Sequence, residues 1–338
     1  MVTQSLHSIT RPKNIEISPA EVMDAISHNV GPLPQLKLEY EPAIKTLWVT
    51  IAPEPKPVFT FDLVNSVSRL QTAIVSLWGP DRHIRSPISF FAYRASGQIF
   101  TMGGDLDFYL DCIAKGDRTA LQEYARLSIK GVLGNASSLS GAAITMATIE
   151  GKGIGGGIDA PLSCNLVIAE EQTSFSYPEV KFNHFPITAV AVLSRRIGAR
   201  EAHRLLTTGD ELSAIQFEAA GALDAVVPTG HGEAWLRKYA AETLPIHGAR
   251  LSLFEAFHRR RAKEYKTELE WLASAWSNYM LRLTPMELSR LQRISVGQDR
   301  MLQHLYAQRA RNPSEPAYSA TKCASQSEVA SGEPSAKQ

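Results

Sequence analysis

An α/β core followed by a helical C-terminal region is the fold class this sequence predicts. Three observations carry it. Apolar runs of strand length alternate with amphipathic helical patterns through the first two thirds of the chain. Helical periodicity takes over almost completely from Gly232 to Gln308. Between them, residues 142–179 set two apolar strand-like runs, Ala143–Ile149 and Asn165–Ala169, on either side of a glycine-rich segment.

The elements follow in order. Residues 1–33 are polar and contain prolines, which predicts a partly disordered extension with one short helix at Pro19–His28. Leu36–Tyr40 and Lys45–Ile51 read as strands joined by a turn at Glu41-Pro42. Phe61, Val64, Val67, Leu70, Ile74 and Leu77 recur at helical spacing. Asp81–Pro87 reads as a polar loop, Ile88–Tyr93 as a strand and Ser96-Gly97 as a turn. Helical patterns cover Phe108–Ala114 and Arg118–Ser137, with Asp105 as a cap for the first. Past the central segment, Ala189–Ile197 and Ala199–Thr207 read as helices separated by Gly198, Ser213 opens a helix ending at Gly221, and Leu223–Val227 is a short strand. The predicted organisation is an extension over 1–33, an α/β core over 34–230, a helical region over 231–311 and a disordered tail over 312–338, rich in Ser, Ala, Pro and Glu.

Composition removes several function classes. The net charge of +1 offers nothing for nucleic acid or an anionic membrane to bind. Cys112, Cys164 and Cys323 are far apart, so neither a zinc site nor a disulfide framework is expected, and a reducing cytoplasm fits. No signal peptide and no membrane-length apolar run is seen.

The candidate chemistry lies in the glycines. Gly151, Gly153, Gly155, Gly156 and Gly157 expose backbone N–H groups without side chains, and a helix starting near Gly156 would present unpaired N–H groups to an anion. Asp159, three residues on, shares the helical face of Gly156. Glu179 follows twenty residues after Asp159, and Gly103-Gly104 offers a second exposed backbone. Close helix-on-sheet packing explains the same glycines, and spacing alone leaves both readings open. Gly151, Gly153 and Gly156 also satisfy G-x-G-x-x-G with Glu170 downstream, a dinucleotide pattern. Against that stand the short crossover from Gly151 to Asn165, Pro161 within it, and the negative charge of Asp159. His184 reads as structural because no ligand-spaced His or Cys accompanies it. Phe254, Phe257, Leu269, Trp271, Leu272 and Trp276 read as helical core.

Five ordered segments resemble the crotonase (enoyl-CoA hydratase/isomerase) superfamily, and within it the diffusible signal factor synthases, which make cis-2-unsaturated fatty acid signals. They are PVFTFDLV (57–64), FTMGGDLDFY (100–109), GKGIGGGIDAPLSCNLVIAEE (151–171), SYPEVKFNHFP (176–186) and LLTTGDELSAIQFEAAGALDAVVP (205–228), within a similarity spanning about residues 35 to 290. The resemblance implies a fold of stacked β-β-α units, a homotrimer or hexamer, and C-terminal helices closing over the site and lining an acyl tunnel. It implies no resident cofactor but a substrate carried as a thioester on coenzyme A or acyl carrier protein. The thioester oxygen would be held by the N–H groups of Gly104 and Gly156. Asp159 and Glu179 would be the acid/base pair that dehydrates a 3-hydroxyacyl thioester and, in the signal synthases, hydrolyses the thioester to release the free acid. Other crotonase reactions and a non-catalytic acyl-binding scaffold are the alternatives. Both acid/base positions are Glu in the hydratases and signal synthases. Asp159 is one methylene shorter, which sets its carboxylate about 1.5 Å back. A misplacement of about 1 Å can cost about 10²-fold in rate. Work on a differently shaped substrate, action through a water, and idleness are the readings of Asp159. The sequence Phe185-Pro-Ile-Thr-Ala189 departs from the Pro-Gly-rich pattern of many hydratases.

Overall fold

The structure, a computed structural model, describes residues 18–79, 86–95 and 99–311. The extension before Ser18, the tail after Arg311, the Ser96-Gly97 turn and most of the Asp81–Pro87 loop lie outside the described residues.

Among the described residues, ten strands form two sheets. In chain order they are β1 Leu36–Glu41, β2 Thr46–Ile51, β3 Phe90–Ala95, β4 Ile99–Thr101, β5 Ile144–Ile149, β6 Lys152–Ile154, β7 Leu166–Glu170, β8 Ser174–Ser176, β9 Glu211–Ser213 and β10 Ala225–Val227. The larger sheet has the order β1-β2-β3-β5-β7-β10 and the smaller one β4-β6-β8-β9. In the larger sheet β1 is antiparallel to β2, and all other neighbours are parallel. Parallel strands are covered on both faces, which is why β5 reads as the apolar and β-branched run ITMATI and is buried at every residue.

Consecutive strand pairs split between the sheets. After β3, β5 and β7 the chain turns and contributes β4, β6 and β8 to the smaller sheet, then enters a helix. The fold is therefore a stack of β-β-α units, closed by the helical region that begins at Gly232. One face of the larger sheet carries the helix Phe61–Trp78, started by the Thr60 hydroxyl accepting from the Leu63 N–H. Arg118–Ala136 packs on it, and Ala262–Met280 packs on Arg118–Ala136. On the opposite face Trp48, Phe90, Met146 and Ile168 pack against Leu236 and Ala240 of the helix Gly232–Thr243. Asp105 caps Leu106–Lys115 as expected, its carboxylate accepting from the Phe108 N–H at 3.1 Å.

Two expectations change. The short helix near the N-terminus runs Pro19–Val30 and is docked rather than peripheral: Val22, Ile26 and Val30 join the main core, and a Ser18–Glu21 capping box starts it. Of the aromatic and aliphatic positions read as helical core, Leu269, Leu272 and Trp276 are buried and Phe254 is half-buried, but Phe257 and Trp271 are 67% exposed. Helical spacing marks a face without saying whether the fold covers it. Among the described residues no helix is long and apolar enough to cross a membrane.

Candidate active site

Three of the four expected site residues come together because of the smaller sheet. Gly104, Gly156 and Glu179 follow the C-terminal ends of β4, β6 and β8, three adjacent parallel strands. The glycines before them let the loops meet. Gly103 has φ +97° and Gly155 has φ +65°, and a Cβ on Gly155 would lie 3.4 Å from the Gly103 Cα. That Cβ would also stand 2.5 Å from Glu179 Oε1, so a side chain at 155 would evict the carboxylate.

Glu179 is the second residue of the 3-10 turn Pro178–Phe182. Its Oε1 accepts from the Gly156 N–H at 2.8 Å, and its Oε2 is buried without a hydrogen-bond partner. Burial pushes its carboxyl up to about 7, opposed by hydrogen bonds from its own N–H and that of Gly156. The Gly104 N–H has no acceptor among the described residues. Above Gly104, the Tyr109 hydroxyl lies 1.9 Å from where a Cβ would stand.

Asp159 is placed differently. It opens the helix Asp159–Leu162 and is 1% exposed. Oδ1 accepts from the Tyr177 hydroxyl at 2.7 Å, and Oδ2 accepts from the Thr188 hydroxyl at 2.6 Å. Oδ2 is 3.6 Å from the position of a Gly156 Cβ, so the carboxylate packs close to that glycine. Burial raises its carboxyl to about 7; the two hydroxyls oppose the shift and the Glu179 charge adds to it.

Two cavities meet at this point. The first, about 70 Å³, is lined by Gly104, Gly156, Glu179, Thr188 and Trp276, with Val64, Val67, Leu127, Val132 and Ile187 as its apolar part. The second, about 150 Å³, is lined by Met102, Ile154, Phe182, Ile294 and Met301. Gly104, Tyr109, Glu179 and His184 belong to both linings and form the wall between them. Asp159 is in neither lining; its hydrogen-bond partner Thr188 lines the first.

His184, read from sequence as structural, stands in that wall. Its ring lies among Tyr109, Phe182 and Trp276, with centroids 6.1, 6.1 and 6.2 Å away. Burial pushes its imidazole down to about 4, and Nδ1 has no partner. Tyr109, Tyr177 and Thr188 were not read as site residues, and Trp276 was read as helical core with acyl-tunnel lining as the alternative. Tyr177, two residues before Glu179, and Thr188, inside the departure from the Pro-Gly pattern, were the available signals.

The glycine segment divides its labour. A Cβ on Gly153 would meet Phe175 at 3.1 Å, and one on Gly157 would meet Thr101 Oγ1 at 2.3 Å, so these two serve packing. Gly155 and Gly156 serve the site. The dinucleotide pattern finds no support: the chain returns to β7 through a helix of four residues containing Pro161, and Glu170 is engaged by the Gly232 N–H and Gln172.

The family model described as enoyl-CoA hydratase/isomerase matches residues 94–277, more than half of the 338 residues. The chain belongs to this family. Among curated relatives, a probable mitochondrial enoyl-CoA hydratase of Dictyostelium discoideum is 36% identical over 84 residues, covering 25% of this chain and 30% of that protein. A mevalonyl-coenzyme A hydratase of Beauveria bassiana is 26% identical over 137 residues, covering 40% and 49%. The chain thus spans about a third to a half of the length of these enoyl-CoA hydratase/isomerase family relatives. Solved structures show the shared crotonase fold. An enoyl-CoA hydratase of Bacillus halodurans matches with TM-score 0.66 and 19% identity, over 76% of this chain and 99% of that one. DspI of Pseudomonas aeruginosa matches with TM-score 0.58 and 20% identity, over 70% and 91%.

Proposed function

We propose that this chain is an enzyme acting on an acyl thioester of coenzyme A or acyl carrier protein, interconverting 3-hydroxyacyl and 2-enoyl forms. The observation that carries the reading is the contact between the Glu179 carboxylate and the Gly156 N–H at 2.8 Å, beside Gly104 in one cavity wall. A backbone N–H that binds a carboxylate oxygen can bind the oxygen of a polarised thioester. When the thioester oxygen takes the Gly156 N–H and that of Gly104, Glu179 is released beside C2 and C3 of the acyl group. Ionised, it takes the C2 proton as the C3–O bond breaks and passes that proton to the departing hydroxyl, which leaves as water; hydration runs the same transfers in reverse, and the raised pKa keeps the carboxyl able to exchange the proton near neutral pH.

Asp159 supports this site. It fixes Tyr177 and Thr188, and the Glu179 charge opposes its ionisation. The resemblance to the signal synthases extends the proposal to release of a cis-2-unsaturated acid by thioester hydrolysis. A homotrimer or hexamer belongs to the same proposal.

The test is turnover. Purified wild-type protein and Glu179→Gln are incubated with 3-hydroxyacyl and 2-enoyl thioesters of several chain lengths on both carriers, and products are followed by mass spectrometry. Interconversion by the wild type and a loss of about 10²-fold or more in the variant support the reading. No conversion of any thioester by the wild type, or equal rates in the two proteins, refutes it.

A further inference from the structure

Three buried polar atoms without partners gather at one place. They are Glu179 Oε2, His184 Nδ1 and Trp276 Nε1, and all three residues line the first cavity. His184 is 8% exposed and Trp276 is not exposed at all. An unpaired buried polar atom is costly, and each one calls for an explanation. Glu179 has one in the proposed chemistry. His184 and Trp276 have none, since the fold alone could place Leu or Phe there.

Their surroundings locate what they would bind. Tyr109 stacks edge-on against Trp276 at 5.0 Å, and its hydroxyl covers Gly104. The backbone N–H of His184 donates to the Glu179 carbonyl at 3.0 Å, tying the His184 backbone to that of the acid/base residue. Both rings line the first cavity together with Gly104, Gly156 and Glu179, the groups assigned to the thioester carbonyl and the acid/base step. Asp159, the other carboxylate, is already filled by the Tyr177 and Thr188 hydroxyls.

We infer that His184 and Trp276 form the subsite for an oxygen substituent at C3 of the acyl group. The indole N–H donates to that oxygen, and the imidazole nitrogen accepts from its hydroxyl hydrogen or donates to its lone pair. Burial keeps His184 neutral at physiological pH, so it contributes a hydrogen bond and no charge. The inference rests on the acyl-thioester reading and narrows it: the site selects 3-oxygenated acyl groups over saturated chains of equal length.

Binding of two ligands tests it, in a Glu179→Gln background that stops turnover. The ligands are a 3-hydroxyacyl-CoA and the saturated acyl-CoA of the same length, titrated by calorimetry. The background protein should prefer the 3-hydroxy ligand by about tenfold or more, the worth of one to two hydrogen bonds. Adding His184→Leu should abolish most of that preference while leaving the saturated ligand's Kd within about threefold. His184→Gln, which restores a hydrogen-bonding group, should recover part of it, and Trp276→Phe should lower it independently. An unchanged preference in both His184→Leu and Trp276→Phe overturns the subsite. So does a parallel loss of both ligands in His184→Leu with no recovery in His184→Gln, which marks His184 as a packing residue. If neither ligand binds the background protein or the wild type, the acyl-thioester reading fails and takes the subsite with it.

Discussion

Asp159→Asn separates a supporting carboxylate from a reacting one. In the structure both oxygens of Asp159 accept hydrogen bonds from hydroxyls, at 2.7 Å from Tyr177 and 2.6 Å from Thr188. An asparagine offers one acceptor and one donor in the same space. One hydroxyl keeps its acceptor; the other must turn and accept from the amide, surrendering its own proton to a site with no partner. The cost of one unsatisfied buried donor is about 1–3 kcal/mol, offset in part because the amide carries no charge to bury. A net loss of about 1 kcal/mol lowers Tm by roughly 1–2 °C in a chain of 338 residues. Turnover should fall by less than about tenfold, because Asp159 lines neither cavity. Thermal unfolding and kcat measured on the same preparation check both numbers. A loss of about 10²-fold in kcat with an unchanged Tm would show that Asp159 exchanges protons with the substrate, and the role assigned to it here would be wrong.

Other perturbations have equally definite outcomes. Gly104→Ala places a Cβ 1.9 Å from the Tyr109 hydroxyl and 2.8 Å from its Cζ, so kcat/KM should drop by about 10²-fold, and adding Tyr109→Phe should restore only part of it. Arg94→Met removes the ion pairs with Glu39 at 2.7 Å and Glu233 at 2.9 Å; urea unfolding should show a loss of about 2 kcal/mol, below the figure for a fully buried pair because Glu39 is exposed and Glu233 keeps Arg237 at 3.2 Å. Glu150 is held up to about 8, by burial first and then by Glu170 and Glu233, against Arg94. A carboxyl raised in the fold stabilises it while protonated, so this contribution fades as pH rises from 4.5 towards 8. Asp159 and Glu179 act in the same direction, whereas His184, pushed down to about 4, has its full effect by pH 6.5. Tm should therefore fall between pH 6.5 and 8.5, and Glu150→Gln should flatten that fall; a Tm that rises over this range contradicts the assignment.

Much of the larger sheet was legible because its strands are buried on both faces. TLWVTI and ITMATI announce themselves as apolar and β-branched runs, and the observed bounds Thr46–Ile51 and Ile144–Ile149 differ by a residue from those read. The helix Phe61–Trp78 was legible from its stripe, and Ala189–Ile197 from the punctuation of Gly198. The smaller sheet was invisible. β4, β6, β8 and β9 are three residues each, too short to show alternation, and exist because neighbouring strands complete their hydrogen bonds. Since that sheet brings Gly104, Gly156 and Glu179 together, sequence could name these residues, through the resemblance, without explaining their meeting. The wall between the cavities was illegible for another reason. Tyr109, His184 and Trp276 lie far apart in the chain, and each alone looks like an ordinary core aromatic or histidine. Asp159 was visible as a departure by one methylene, but its Tyr177 and Thr188 partners depend on tertiary placement.

The central claim, that the Gly104 and Gly156 N–H groups hold a thioester oxygen, is tested most directly by the infrared band of the carbonyl itself. A saturated acyl-CoA labelled with ¹³C at C1 is bound to the wild-type protein, and its carbonyl stretch is compared with that of the free ligand in water. Two N–H donors polarise the bond and weaken it, so the band should move to lower frequency on binding, and Gly104→Ala should return it towards the free value. A bound ligand whose carbonyl band stays at its free-solution frequency would contradict the account.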